Sequence, residues 1–145
     1  MESTIAEYQA LLNGLRRTQG FGLFFVECEL GAGDAIGHRL ADDLAKHTVI
    51  EVNLAEDGNL LGALKDAVLI HAKVDVALVQ GLDPLLTKVD QPRIPPGLVH
   101  LNQQREAFRD RFQIRLVLFG SSTAMTQLMR QAPDFFDWRS GLFRF

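Results

Sequence analysis

Short β-forming runs alternate with stretches of helical period along most of this chain, and that alternation limits its fold more than any other feature. Residues 21–28 form an apolar run of strand length, and residues 48–54, 74–79, 114–119 and 138–145 are further strand candidates. Between them the apolar residues recur on one helical face. Ile36, Leu40, Ala41 and Leu44 do so after Asp34, and Leu61, Leu64, Ala67, Val68 and His71 do so within residues 60–72. Residues 98–112 and 123–131 supply two more helices. Such alternation demands parallel strands joined by right-handed crossovers. The expected fold is α/β: a five-stranded, mostly parallel sheet with helices on both faces, a three-layer sandwich.

Residues 3–17 add a helix at the front, with Ile5, Tyr8, Leu11, Leu12 and Leu15 on one face and Ser3 or Thr4 as its N-cap. The expected organisation is a single domain over residues 1–145: an N-terminal helix (1–18) and an α/β core (21–145). Pro92, Pro95 and Pro96 make residues 87–96 a loop. No apolar run approaches the roughly 20 residues that span a bilayer, and Glu2 and Glu7 stand where a secretory leader carries basic residues. One cysteine, Cys28, can neither form an internal disulfide nor build a zinc site. A reducing, cytoplasmic setting is the natural reading. The net charge of −3 argues against nucleic acid as a partner. Arg105, Arg109, Arg111 and Arg115 are interleaved with Glu106 and Asp110 and read as a solvated helix face.

In a parallel sheet, chemistry belongs beyond the carboxyl ends of the strands. The turn after the first strand, Glu29-Leu30-Gly31-Ala32-Gly33-Asp34-Ala35-Ile36-Gly37, has three readings. A phosphate-binding loop needs a Lys for the phosphates and a Ser or Thr for magnesium. The best frame runs from Ala32 to Gly37-His38-Arg39, so His38 replaces the Lys and Arg39 the hydroxyl. Glu27, Glu29 and Asp34 crowd the entrance, and Asp34 as N-cap would occupy the anion site itself. The second reading is a dinucleotide or S-adenosylmethionine loop built on Gly31-Ala32-Gly33, but Asn53 closes the second strand where that chemistry wants a carboxylate. In the third, Gly31 and Gly33 make a tight turn with positive φ, and Gly37 lets the helix approach the sheet closely.

The strand over residues 76–79 is followed by Gln80-Gly81-Leu82-Asp83. Phosphoryl transfer needs an acid here for magnesium and another to activate water. Gln80 and Gly81 supply neither, and Asp83, just before Pro84, reads as the cap of the next turn. A degenerate nucleotide site would comprise Gly31, Gly33, Gly37, His38, Arg39, Gln80 and Asp83. Neither hydrolysis nor a bound cofactor is expected of it.

Two stretches resemble a known family. Leu101-Asn102-Gln103-Gln104-Arg105-Glu106-Ala107-Phe108 with Leu116-Val117-Leu118-Phe119 is similar to a helix and strand of STAND-type P-loop NTPase domains. Ala132-Pro133-Asp134-Phe135-Phe136-Asp137-Trp138-Arg139-Ser140-Gly141, with Phe143 and Phe145, resembles their closing motif. Such domains are akin to NB-ARC and NACHT modules of the AAA+ class, and the degenerate loop resembles their inactivated branch. The resemblance implies a signalling or adaptor role in bacterial conflict and antiphage systems. It implies contacts with a partner protein, an adjacent effector or repeat domain, or further copies of the chain. No effector domain, lid or winged helix follows Phe145, so the chain is an excised piece or its partner is a separate polypeptide.

Other residues carry less. Arg139 reads either as a nucleotide-sensing arginine or as a partner of Asp134 or Asp137 that anchors the last strand. Trp138, Phe135, Phe136, Phe143 and Phe145 read as one aromatic cluster, in which any exposed pair would mark a contact surface. His38, His47, His71 and His100 lack ligand spacing. Ser121 and Ser122 read as a turn and helix cap, and Cys28, between Glu27 and Glu29, as a thiol of raised pKa.

Overall fold

The computed structural model describes residues 2–29, 31–54, 60–71, 73–86 and 105–145. Its elements run α1 (Glu2–Arg17), β1 (Gly22–Glu27), α2 (Ala32–Asp43), β2 (Val49–Asn53), α3 (Leu60–His71), β3 (Val76–Gln80) and α4 (Leu82–Leu86). They continue with α5 (Arg105–Arg111), β4 (Arg115–Gly120), α6 (Ser122–Gln131), α7 (Pro133–Asp137) and β5 (Gly141–Arg144). The sheet has five strands in the order β2-β3-β4-β1-β5. Every pairing is parallel, which is stricter than the mostly parallel sheet expected.

Strand β1 has apolar side chains on both sides of its backbone, and successive residues point to opposite faces. Leu23 and Phe25 therefore enter one core layer and Phe24 and Val26 the other, each almost fully buried. On the first face, β1, β3 and β4 pack under Leu60, Leu61 and Leu64 of α3, Met125 and Leu128 of α6, and Phe135 and Phe136 of α7. On the second, they pack under Tyr8, Leu11, Leu12 and Leu15 of α1 and Leu40 of α2. The three layers expected from the periodicity are present.

Several local expectations need correction. Helix α1 begins at Glu2, so Ser3 and Thr4 lie inside it rather than capping it. Pro84 sits in the first turn of α4, where its missing N–H has no intrahelical partner to lose. The chain after Pro133 makes the short helix α7 before β5 begins at Gly141. The helix expected over residues 98–112 is described only as α5, and the loop at 87–96 lies outside the described residues.

The aromatic residues near the end split between the two faces instead of forming one cluster. Phe25 stacks on Phe136 at 4.9 Å and meets Phe135 edge-on at 6.2 Å, whereas Phe143 stacks on Phe24 across the sheet. None of the five is among the strongly exposed large apolar side chains, which among the described residues are Ile5, Leu69, Ile70 and Met129. Arg139 lies at the amino end of β1, where the Ser140 amide donates to Leu23 O. Its guanidinium sits 4.6 Å from the Phe136 ring centroid and 4.0 Å from Asp137. That is the anchoring role, at the end of the sheet away from any site at the strands' carboxyl ends.

Arg115 is not on a solvated helix face. It opens β4, and its Nη1 donates to Leu15 O (3.2 Å) and Thr18 O (2.9 Å) while its Nε donates to Asp75 O (3.3 Å). One guanidinium thus ties the end of α1 to two strands. Beside it, the Asp75 carboxylate accepts from the Thr48 amide at 2.8 Å and faces Lys73 and His47. Burial alone would raise the Asp75 carboxyl, but the Thr48 amide, Lys73, His47 and Arg115 outweigh it and hold it below its ordinary value.

A depressed carboxyl contributes stability that is complete above its unfolded pKa, about 3.9. That contribution is lost as pH falls through the lower folded value. Urea midpoints measured from pH 7 downward are expected to hold to about pH 4 and then fall. In Asp75→Asn the midpoint should start lower and fall less steeply.

Candidate functional site

A cleft of about 210 Å³ opens beyond the carboxyl ends of β1, β3 and β4, against the start of α2. Gly31 turns the chain into α2 with φ 90° and ψ −23°, a left-handed conformation that a side chain would resist. Gly81 makes the matching turn after β3 with φ 82°. Gly33 has no positive φ; it is helical, in the first turn of α2.

Gly33 is required by close approach instead. A Cβ there would stand 2.9 Å from Gln80 Oε1 and 3.3 Å from Phe119 Cβ. The Gln80 amide lies across this bare stretch of helix and donates to Gly33 O at 3.2 Å. At Gly37 a Cβ would meet Gln80 and Leu78 at an ordinary 3.6 Å, so packing does not demand glycine there. Gln80 thus clasps the loop that follows β1 to the end of β3.

Among the described residues that line the cleft are the acids Glu29, Asp34 and Asp83, and none of those described is a Lys, Arg or His. Asp34 is not the N-cap: α2 starts two residues earlier, at Ala32, and Asp34 is exposed in the first turn. There it favours the helix dipole and opposes an incoming phosphate. Asp83 does not merely cap its own turn. Its carboxylate accepts from the Ser121 amide at 2.9 Å and, through a short bond, from the Ser121 hydroxyl. Ser121 in turn caps α6, its Oγ accepting from the Ala124 amide at 3.1 Å, which is the cap role read from its sequence. The Cys28 thiol is buried beside this pair. Burial first and the Asp83 charge second push it up, rather than the flanking Glu27 and Glu29.

Gly31, Gly33, Gln80 and Asp83 of the expected site therefore meet, with Gly37 next to Gln80. His38 and Arg39 do not join them. Because α2 already starts at Ala32, both fall in its second turn, about 9 Å along the helix at 1.5 Å per residue. His38 faces a groove beside β2 with Glu51. Arg39 lies 4.2 Å from the Tyr8 ring centroid and pairs with Asp43 at 3.9 Å. Sequence reasoning missed Ser121 as Asp83's partner; the signal was the Gly-Ser-Ser turn at the end of β4.

The strand order also removes the S-adenosylmethionine reading. Rossmann-type sheets set the second strand beside the first. Here β3 and β4 stand between β1 and β2, so the end of β2 is about 14 Å from the glycine turn, three strand spacings away. No residue at Asn53 could hold a ribose bound at Gly31.

Compared with solved structures, the chain is similar to the ORC2 protein of Aeropyrum pernix in two forms. One, described as ADPNP-ADP complexes, superposes with a TM-score of 0.58 at 18% identity over 96% of this chain and 47% of that one. The ADP form superposes with a TM-score of 0.56 at 16% identity over 95% and 47%. This chain spans about half the length of those proteins. No protein-family model matches it, and no curated protein matches its sequence. The likeness extends to the fold alone: a layered α/β arrangement on a parallel sheet. Among the described residues no helix is long and apolar enough to cross a membrane.

The clasp yields a stability test by denaturant melts. Gly33→Ala should lose about 1–2 kcal/mol, because the new methyl displaces the Gln80 amide. That loss should shrink when Gln80→Ala is already present. Gly37→Ala should instead gain up to about 1 kcal/mol from helix propensity.

Proposed function

We propose that this chain is a non-catalytic regulatory or scaffolding domain that keeps a P-loop NTPase-like fold and works through protein contacts. The observation that carries the reading is the charge of the cleft: among the described residues three carboxylates line it, and no cation does. A triphosphate there would meet repulsion at the entrance, with no Lys among the described lining residues to offset it. Gln80 stands where a magnesium-binding acid is needed, and its amide is committed to Gly33 O. Asp83, the remaining acid at the strand end, is bonded to Ser121. Phosphoryl transfer depends on positioning and charge neutralisation, and this arrangement supplies neither.

The Aeropyrum pernix ORC2 protein is described with ADPNP and ADP. A second reading, retained nucleotide binding without turnover, is favoured by one observation: the residue before α2 is Gly31, which offers no capping side chain to its first amides. The finer setting follows the STAND resemblance. It is a cytoplasmic, bacterial signalling or antiphage-defence protein whose partner is a separate protein, an adjacent effector or repeat domain, or another copy.

ATP turnover and thermal melts with ATP, ADP and GTP, each with and without magnesium, test the proposal. No turnover and no rise in Tm are expected. A ligand at 100 times its Kd would add about 2.7 kcal/mol, so a rise with ADP alone would select the second reading. Magnesium-dependent turnover that Asp83→Asn abolishes would overturn both.

A further inference from the structure

The amino ends of the strands carry a second and larger depression of about 480 Å³, at the pole opposite the carboxylate-lined cleft. Among the described residues Arg16, Lys73 and Arg115 line it against one carboxylate, Asp75, and its apolar wall includes Phe112 and Val68. This is a concentration of positive charge on a chain of net −3. Lys73 is largely exposed and only 3.6 Å from Asp75, so its ammonium is screened rather than sequestered. Arg115 spends Nε and Nη1 on backbone carbonyls, which leaves Nη2 without a hydrogen bond among the described residues. The guanidinium is thereby fixed in place with one donor edge over. Its volume falls in the range of sites that bury an apolar body and orient it by a few polar groups.

We propose that this groove is the docking site for an acidic segment of a partner protein. The partner's carboxylates would meet Lys73, Arg16 and the free edge of Arg115, and an apolar side chain would rest on Phe112 and Val68. Charge complementarity selects the occupant. A basic segment would be repelled here and would be drawn instead to the acidic cleft at the other pole. The inference rests on the reading that the domain works through protein contacts, and it names where one such contact is made.

The test is a titration of the ¹⁵N-labelled full chain, followed by amide shifts. The probe is an acetylated, amidated peptide alternating glutamate with leucine and phenylalanine, compared with its lysine-for-glutamate counterpart. Saturable shifts at Gln19, Gly20, Lys73 and Gln113 are expected with the acidic peptide only. The affinity should weaken at least about fivefold between roughly 50 and 300 mM salt. It should weaken by a similar factor in Lys73→Glu and in Arg16→Glu, both changes at exposed side chains that leave Arg115 and its carbonyls intact. Absence of shifts at millimolar peptide would overturn the proposal. So would equal binding of the lysine peptide, indifference to both substitutions, or the same shifts from inorganic phosphate alone. In the same spectra Gly31 and Gly81 report magnesium-ATP at the opposite pole, so failure of this site and failure of the non-catalytic reading are separable.

Discussion

Everything in this molecule is referred to one strand buried on both faces. Leu23, Phe24, Phe25 and Val26 of β1 are almost fully removed from water and alternate between two core layers. Each such side chain contributes about 1.5–3 kcal/mol of apolar burial, and only a helix on each side can complete it. With β4 on one side and β5 on the other, β1 has no free edge. Cys28 and Glu29, which follow it, are therefore held inside the sheet beside the end of β4, where the cleft forms.

What that cleft holds follows from the polar groups the strands deliver to their carboxyl ends. The Gln80 amide bonds to Gly33 O, and the Asp83 carboxylate bonds to Ser121. Polar groups that satisfy each other inside a fold stabilise it and are costly to separate. A ligand would have to break these bonds and bring its own counter-charge. At the far pole the balance is reversed, since Arg115 and Asp75 fasten α1 and β2 to the central strands beside a surplus of cations. Among the described residues the cleft at the carboxyl ends is thus lined by carboxylates and the groove at the amino ends mainly by cations.

The three layers and all five strands could be read from the chain, because apolar period is a local property. Strand order could not, since it depends on pairings such as Val76 with Arg115 that no local window contains. That one fact decided against a ribose-binding role for Asn53. The helix start was misplaced for a physical reason as well: Gly31 takes the left-handed turn alone, so α2 begins at Ala32 rather than after Asp34. His38 and Arg39 then rotate away from the cleft. Arg115 was misread because it was grouped with the charged residues 105–111, although it falls within the strand expected over residues 114–119. Its partners, Leu15 O and Thr18 O, lie about a hundred residues away. His38 in place of a lysine and Gln80 in place of an acid were legible from single residues.

The central claim is that the cleft offers no counter-charge to phosphate, and ³¹P spectra of magnesium-ATP with an equimolar amount of the protein test it most directly. Unchanged β- and γ-phosphate signals are the result this account predicts. Shifted or broadened β and γ signals that return to their free positions in Gly31→Val, where the turn cannot form, would contradict it.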